Sequence, residues 1–429
     1  MCPRSRELCV RFPGEGKTVY VLPGTILKEA LERASIVLDY PCGGKGTCGK
    51  CKVRVTSGAP APTDAEQQTL TNTEIDQGYR LACRLSVTAD TTVEIPADSK
   101  LQSIQMGVED GRTWEDITPI ERFREIRYTF PTLETQTAYT TLLAEAFGQK
   151  VCLRPEALRD LPGFISTEEK PFFAVYRVIN NEITIIDFQW EGPHLYGLAV
   201  DIGTTTLAVS LVNIRTGKTI AVAPGVNAQR EFGGDYISRI DYAIKNDDGL
   251  AKLRDIIQKN INDLIETLCA ENTVSPEYIY DVVISGNSVM QHLFIGVNPA
   301  SLSEIPFSAV FNTPVKLEAA DVSLNLPSYS LIRLVPNLVG FIGGDITAGL
   351  ITSGLTQKEP LQLLIDIGTN GEIVLGNNRF LYATSAAAGP AFEGGNIGLG
   401  MAAVPGAVEK FVLNGENEQI GRASCRERV

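Results

Sequence analysis

Residues 7–12 and 17–22 read as two short strands, joined across Gly14-Glu15-Gly16 as a hairpin. Pro23-Gly24 turns the chain and places Thr25 to N-cap a helix, on which Ile26, Leu27, Ala30, Leu31 and Ala34 mark one apolar face. A loop rich in cysteine and glycine follows. CKVRV then alternates polar and apolar like a strand, and VTADTTVEI closes the module near Pro96. Two strands, a helix, a loop and further strands predict a β-grasp fold over 1–97.

The pattern weakens over 98–130, which reads as a linker. It resumes at 132–148, a predicted helix with Leu133, Leu142, Leu143 and Phe147 as its apolar positions. FFAVYRVINNEITIIDF reads as two strands about an Asn180-Asn181 turn, so 131–194 is a small α+β domain. From 195 the style changes. Gly197–Asp201 is an apolar strand running into DIGTTT, and LQLLIDIGTNGEIVLG repeats that arrangement at 361–376. The two aspartates, Asp201 and Asp366, are 165 positions apart. Between them lie predicted helices at 235–246 and 249–270, a strand at 280–285 and a helical GGDITAGLITSG. A duplicated α/β unit over 195–419, with a ligand between its halves, is the predicted architecture.

Composition bounds the function classes. A chain of 429 residues has room for two to four domains, and 44% hydrophobic with 21% charged residues is ordinary for a soluble protein. The net charge of −13 repels nucleic-acid phosphates. No apolar run is long enough to span a bilayer. The start, MCPRSRELCVRF, lacks the apolar centre of a secretory signal, so cytoplasmic location and reduced thiols are expected. The last ten residues, IGRASCRERV, break from the preceding pattern. They read as a non-native tail over 420–429, with native sequence stopping near Gln419 and Cys425 left without function.

Nine cysteines change the picture. Cys2, Cys9, Cys152 and Cys269 fall in no pattern. Cys42, Cys48, Cys51 and Cys83 are separated by five, two and thirty-one residues, the first three within PCGGKGTCGKC. That spacing is one residue longer in the first loop than the plant-type 2Fe–2S arrangement, and it matches a related ferredoxin type. Gly43, Gly44, Gly46 and Gly49 let backbone N–H groups approach cluster sulfurs and adopt positive φ. Zinc is the competing reading, but zinc sites usually pair two short C-x-x-C units, and Cys83 stands alone. Lys45, Lys50, Lys52, Arg80 and Arg84 would tune the cluster or dock an acidic partner; solvated surface is the preferred reading of these charges.

The DIGT turns need other chemistry. Asp201 and Asp366 suit Mg²⁺ held through water, Gly203 and Gly368 allow close backbone approach, and Thr204, Thr205 and Thr369 offer hydroxyls and N–H groups to phosphate. Two such turns facing each other would clamp a nucleotide. Asn227, Gln229, Asp235, Asn287 and His292 are further candidates for the cleft, and they compete with a role as satisfied turn residues. A lone histidine such as His292 reads as packed or capping. The small-residue run ATSAAAGPAFEGGNIGLG permits close packing.

With these motifs in view, the chain resembles the reductive activators of corrinoid proteins. The resemblance runs from about residue 7 to 419 through PCGGKGTCGKC with Cys83, VDIGTTT, NAQREFGGDYISRI, GNSVMQH, FIGGDITAG, IDIGTNGE and SAAAGPAFEGGNI. It implies a multidomain α+β and α/β chain. A β-grasp 2Fe–2S ferredoxin domain is followed by a linker, a middle domain and an actin/hexokinase-like (ASKHA) nucleotide domain. It implies that Cys42, Cys48, Cys51 and Cys83 ligate the cluster. Asp201, Gly203 and Thr204 fall on the first phosphate motif, and Asp366, Gly368 and Thr369 on the second. The implied activity is ATP-dependent, Mg²⁺-assisted electron transfer that returns a corrinoid protein from cobalt(II) to cobalt(I), fed by a low-potential electron donor. Dimerisation through the ASKHA-type domain is also implied. GGDY stands where the family pattern has a Gly-Ala-Asp-Val-like segment, and the family continues past residue 419 into its adenosine-binding glycine segment. Two alternatives remain: an activator of another low-potential metalloenzyme, and a ferredoxin-type redox module with a degenerate nucleotide domain.

Overall fold

The computed structural model describes residues 7–34, 36, 38, 40, 44, 46–96, 99, 119–368 and 371–386, and the backbone of 408–413 and 419–423. The first module begins with the predicted hairpin, β1 (Leu8–Phe12) and β2 (Lys17–Val21), then α1 (Leu27–Arg33) and β3 (Lys52–Ser57). Two short helices follow, α2 (Asp64–Thr69) and α3 (Asn72–Asp76), then β4 (Tyr79–Leu81) and β5 (Thr91–Glu94). The sheet order is β2-β1-β5-β3-β4, with β1 and β5 parallel. Leu27, Ala30 and Leu31 of α1 are buried against Val10, Phe12, Val53 and Val93. Thr25 does not cap α1: its hydroxyl donates to the Leu22 carbonyl, because helical geometry starts two residues later. Helices α2 and α3 each open on a capping box, Thr63 with Glu66 and Thr71 with Glu74.

The second module is larger than predicted. β6 (Glu121–Ile126) lies inside the segment read as a linker over 98–130 and pairs antiparallel with β8. Its sequence, ERFREI, carries too much charge to show as a strand, yet Glu121 and Ile126 are buried. Helix α4 covers only Tyr139–Phe147, shorter than the predicted 132–148; Leu133 is 91% exposed in a turn closed by Thr132 and Thr135. After β7 (Val151–Leu153) and α5 (Pro155–Phe164), β8 (Phe172–Ile179) and β9 (Glu182–Gln189) form the predicted hairpin, with Asn180 and Asn181 both at positive φ.

The third unit is a six-stranded sheet ordered β12-β11-β10-β13-β15-β14. It runs through β10 (Tyr196–Ile202), β11 (Thr206–Asn213), β12 (Lys218–Val226), α6 (Tyr236–Lys245), α7 (Gly249–Asn272), β13 (Ile279–Gly286), α8 (Ser288–Ile295), β14 (Val315–Glu318) and β15 (Leu331–Leu334). The α7 residues Leu253, Ile257, Ile261, Ile265 and Leu268 form its buried face. Helix α9 (Gly344–Ser353) leads into a second meander, β16 (Gln362–Ile367), β17 (Gly371–Gly376) and β18 (Leu381–Ala386), packed on Ile346 and Leu350. β10-β11 and β16-β17 are thus equivalent antiparallel pairs, each with Asp-Ile-Gly at the end of its first strand. Leu361, Leu363, Ile365 and Ile367 share one face and are at least half exposed. Backbone pairing continues between β19 (Val408–Leu413) and β20 (Gln419–Ala423), the latter reaching into the segment read as a tail.

A buried ion pair ties the second unit to the third. The Arg177 Nε donates to Glu121 at 2.9 Å, and its Nη2 donates to the Tyr280 carbonyl at 2.8 Å and the Tyr329 carbonyl at 3.0 Å.

Candidate functional site

Cys48 sits in the loop before β3, Cys51 at the entrance to β3 and Cys83 just after β4, so sheet register brings the distant cysteine to the tight pair. The Ala82 N–H donates to the Cys51 carbonyl at 3.0 Å. The Cys51 and Cys83 sulfurs are 3.3 Å apart and both are buried. That gap exceeds a disulfide bond of about 2.05 Å. It is close to the separation of about 3.7 Å between two thiolates on one tetrahedral metal with ~2.3 Å metal–sulfur bonds. Cys48 is partly exposed. Cys42 and Gly43 lie outside the described residues, as does Lys45.

The loop follows the glycine expectation. Gly44, Gly46 and Gly49 have φ of +81°, +80° and +69°, which side chains rarely adopt. The Thr69 hydroxyl donates to the Gly46 carbonyl at 2.7 Å, so the capped helix α2 holds the loop in place. The basic residues divide. Arg80 is not solvated surface: it is buried and donates to the carbonyls of Pro60, Ile75 and Tyr79. Lys52 pairs with Glu74 at 2.7 Å, which together with the α3 cap holds the Glu74 carboxyl at about 2.

The second site lies between the DIGT turns. Asp201, the penultimate residue of β10, is open to water, yet protein crowds its carboxylate. That burial, and then the negative Asp366 facing it, raise its pKa. Two carboxylates absent from the sequence prediction join them. Asp345 opens α9, and burial chiefly, then Asp201, Glu372 and Asp366, push it up to about 7. Glu372 stands opposite Asp366 across the β16–β17 pair; burial first, then Asp366, raises its pKa. Among the described residues no three acidic, cysteine or histidine side chains converge as a metal-binding group. Asp345 was legible in FIGGDITAG as an aspartate after paired glycines; Glu372 had no signal beyond closing the IDIGTNGE motif of the second repeat.

Gly203 permits its turn because a Cβ there would stand 2.8 Å from the Thr206 carbonyl oxygen. The Thr204 hydroxyl accepts from Asn287 Nδ2 at 3.0 Å, while Asn227 Nδ2 donates to the Gly203 carbonyl at 2.8 Å. Asn227 and Asn287 therefore belong to the site through the turn they hold. Gln229 is one shell further out, donating to the Leu253 carbonyl at 2.9 Å. Asp235 caps α6 through the Ser238 N–H at 2.7 Å. His292 is packed, as predicted: the Val310 N–H donates to Nε2, Nδ1 meets the Ser288 carbonyl at 2.6 Å, and burial lowers its pKa. A pocket beside the turns is lined by Tyr236, Asn287, Ser288, Phe341 and Glu372. Ser288 Oγ is buried with no hydrogen-bond partner among the described residues. Gly368 and Thr205 lie in the turns as predicted; Thr369 and the run from 387 to 400 lie outside the described residues.

Lys28 links the first module to the third unit. Its ammonium, on α1, donates to the Glu231 carbonyl at 3.2 Å and lies 4.9 Å from the Tyr40 ring and 5.5 Å from the Phe232 ring. Glu231 and Phe232 follow directly on the Asn227 segment that holds the first turn. Among the described residues no helix is long and apolar enough to cross a membrane.

Comparison with known proteins bears on each part. Residues 11–88 match the 2Fe-2S iron-sulfur cluster binding domain, 196–358 the RACo middle region, and 360–425 the C-terminal domain of RACo, the ASKHA domain. A solved "Reductive activator for corrinoid,iron-sulfur protein" is similar over 97% of this chain and 69% of its own, with a TM-score of 0.62 and 32% identity. The corrinoid activation enzyme RamQ of Eubacterium limosum is 32% identical over 413 residues. That alignment takes in 94% of this chain but 64% of RamQ, so the chain spans under two thirds of that relative's length. A corrinoid protein reductase specific for methylated amines, from Methanosarcina barkeri, is 26% identical over half of this chain.

Proposed function

This chain belongs to the family of reductive activators of corrinoid proteins, and on that footing we propose that it returns a corrinoid protein from cobalt(II) to cobalt(I) at the expense of ATP. In this reading Cys42, Cys48, Cys51 and Cys83 hold a 2Fe–2S cluster. The paired burial of Cys51 and Cys83 at 3.3 Å is the observation that carries it. The cluster, when bound, would supply a one-electron carrier; plant-type ferredoxin centres sit at about −400 mV.

The chain's own residues divide the work. The β3–β4 register would offer the Cys51 and Cys83 thiolates to a cluster, and the positive φ of Gly44, Gly46 and Gly49 would let the loop's backbone N–H groups approach it. In the cleft, Asp201, Gly203, Thr204 and Thr205 from one turn, and Asp366, Gly368 and Thr369 from the other, hold the phosphates and a hydrated Mg²⁺ of ATP. Asp345, which burial holds near neutral pH in its proton affinity, is suited to accept a proton from an attacking water. ATP acts on the equilibrium, not on the electron. Each ~59 mV by which cobalt is harder to reduce than the cluster disfavours transfer tenfold. About 5.5 kcal/mol turns a 1:99 population into 99:1, within the reach of a bound nucleotide. The corrinoid protein, a low-potential donor and cytoplasmic location complete the proposal.

The test mixes full-length protein, reduced donor and cobalt(II) corrinoid protein. Loss of cobalt(II) absorbance only when ATP is present supports the proposal, and ATP-independent reduction refutes it. Cys48→Ala should abolish the visible absorption of the cluster; retained colour contradicts the ligand assignment.

A further inference from the structure

Arg239 is fully buried on α6, directly behind the first DIGT turn. Its guanidinium meets only neutral acceptors. Nε donates to the Gly233 carbonyl at 3.0 Å, Nη1 donates to Gln229 Oε1 at 3.3 Å and lies 3.1 Å from Met290 Sδ, and Nη2 donates to the Thr204 carbonyl. Among the described residues no carboxylate stands within ion-pair distance of it. Burying a cation without a counter-ion is costly, and a neutral side chain of similar length would fill the same space. Burial lowers its pKa to about 9, so it remains charged at neutral pH. Its position accounts for that cost.

Asn227, also fully buried, does one residue earlier what Arg239 does at Thr204, holding the Gly203 carbonyl. In a trans peptide the carbonyl and the following N–H point in opposite directions. Drawing the Gly203 and Thr204 carbonyls inward therefore turns the Thr204 and Thr205 N–H groups away from the interior. Successive N–H groups aimed the same way form a concavity for an anion.

We infer that Arg239 and Asn227 are positioning residues, which set the peptide planes of the Gly203–Thr205 turn so that its N–H groups receive a phosphate. The inference rests on the reading of the DIGT turns as a phosphate site. Binding of the fluorescent ATP analogue mant-ATP with Mg²⁺ to the full-length protein tests it, with thermal melting and cluster absorption followed in the same samples. Arg239→Met should weaken mant-ATP binding at least tenfold while cluster absorption is kept. Arg239→Lys, which keeps the charge, should restore affinity to within about threefold of the native protein. Where Arg239→Met fails to fold, Asn227→Ser decides, because serine retains a capping oxygen but falls short of the Gly203 carbonyl; it too should lose about tenfold. Native affinity in a folded Arg239→Met, or in Asn227→Ser when Arg239→Met does not fold, overturns the inference while the nucleotide site stands. Absence of mant-ATP binding by the unaltered protein overturns the nucleotide reading itself.

Discussion

Replacing Asp345 with asparagine should make the protein more stable at neutral pH and a poorer ATPase. The carboxyl sits at about 7 in the folded chain against an ordinary value of 3.8. The folded state therefore holds this proton over a range where the unfolded state has lost it. A proton held more tightly by the folded state means that stability falls as pH rises through that window, from about 4 to about 7. Three pH units at ~1.36 kcal/mol each give about 4 kcal/mol, and the side chain's partial exposure reduces this to about 2. Asparagine removes that penalty and keeps the oxygen that accepts the Ile346 N–H, a bond of 2.8 Å. The assay is thermal unfolding without Mg²⁺ at low salt. At pH 8 the variant should melt about 4–8 °C above the native protein, and at pH 4 the two should coincide. Added Mg²⁺ should shrink the difference at pH 8, because a cation repays the clustered carboxylates. An equal offset at both pH values, or a less stable variant at pH 8, would refute the electrostatic account. ATP turnover should fall about 100-fold or more if Asp345 accepts the proton.

Gly46→Ala should make the cluster labile. The new methyl would stand 2.8 Å from Arg84 Cγ, and alanine resists a φ of +80° by about 1–2 kcal/mol; iron content and visible absorbance after gel filtration should both fall, while the melting of the nucleotide unit stays put. Arg177→Met should cost about 3–5 kcal/mol in denaturant titration, since it leaves Glu121 buried and two carbonyls without their donor. Glu121→Gln/Arg177→Met should recover much of that loss, because no unpaired charge remains.

The cluster loop and both DIGT turns were legible because their chemistry is local. The spacing of Cys42, Cys48 and Cys51, the loop glycines and a strand running into an aspartate are each written within a dozen residues. The capping boxes Thr63-Glu66 and Thr71-Glu74 were equally local, although no helix was predicted there. The failures have a common cause. β6 is a strand because β8 lies beside it and Arg177 neutralises Glu121 from 56 positions away, so its charged sequence conceals its burial. Leu133 was counted as core from helical spacing, but it stands exposed ahead of α4, with no packing partner among the described residues. Arg80 looked like a surface cation until three backbone carbonyls were found around it.

Covalent order along the chain was enough to predict a cysteine loop of the 2Fe–2S type and a duplicated Asp-Ile-Gly-Thr turn, since turn chemistry and the spacing of Cys42, Cys48 and Cys51 act over a few residues. It was silent on which carboxylates gather around Asp201, on the cation hidden behind Thr204 and on the contact of Lys28 with Glu231. Those depend on proton affinities and dehydration, which arise when groups 35 to 203 residues apart are brought within a few ångströms and water is displaced from between them.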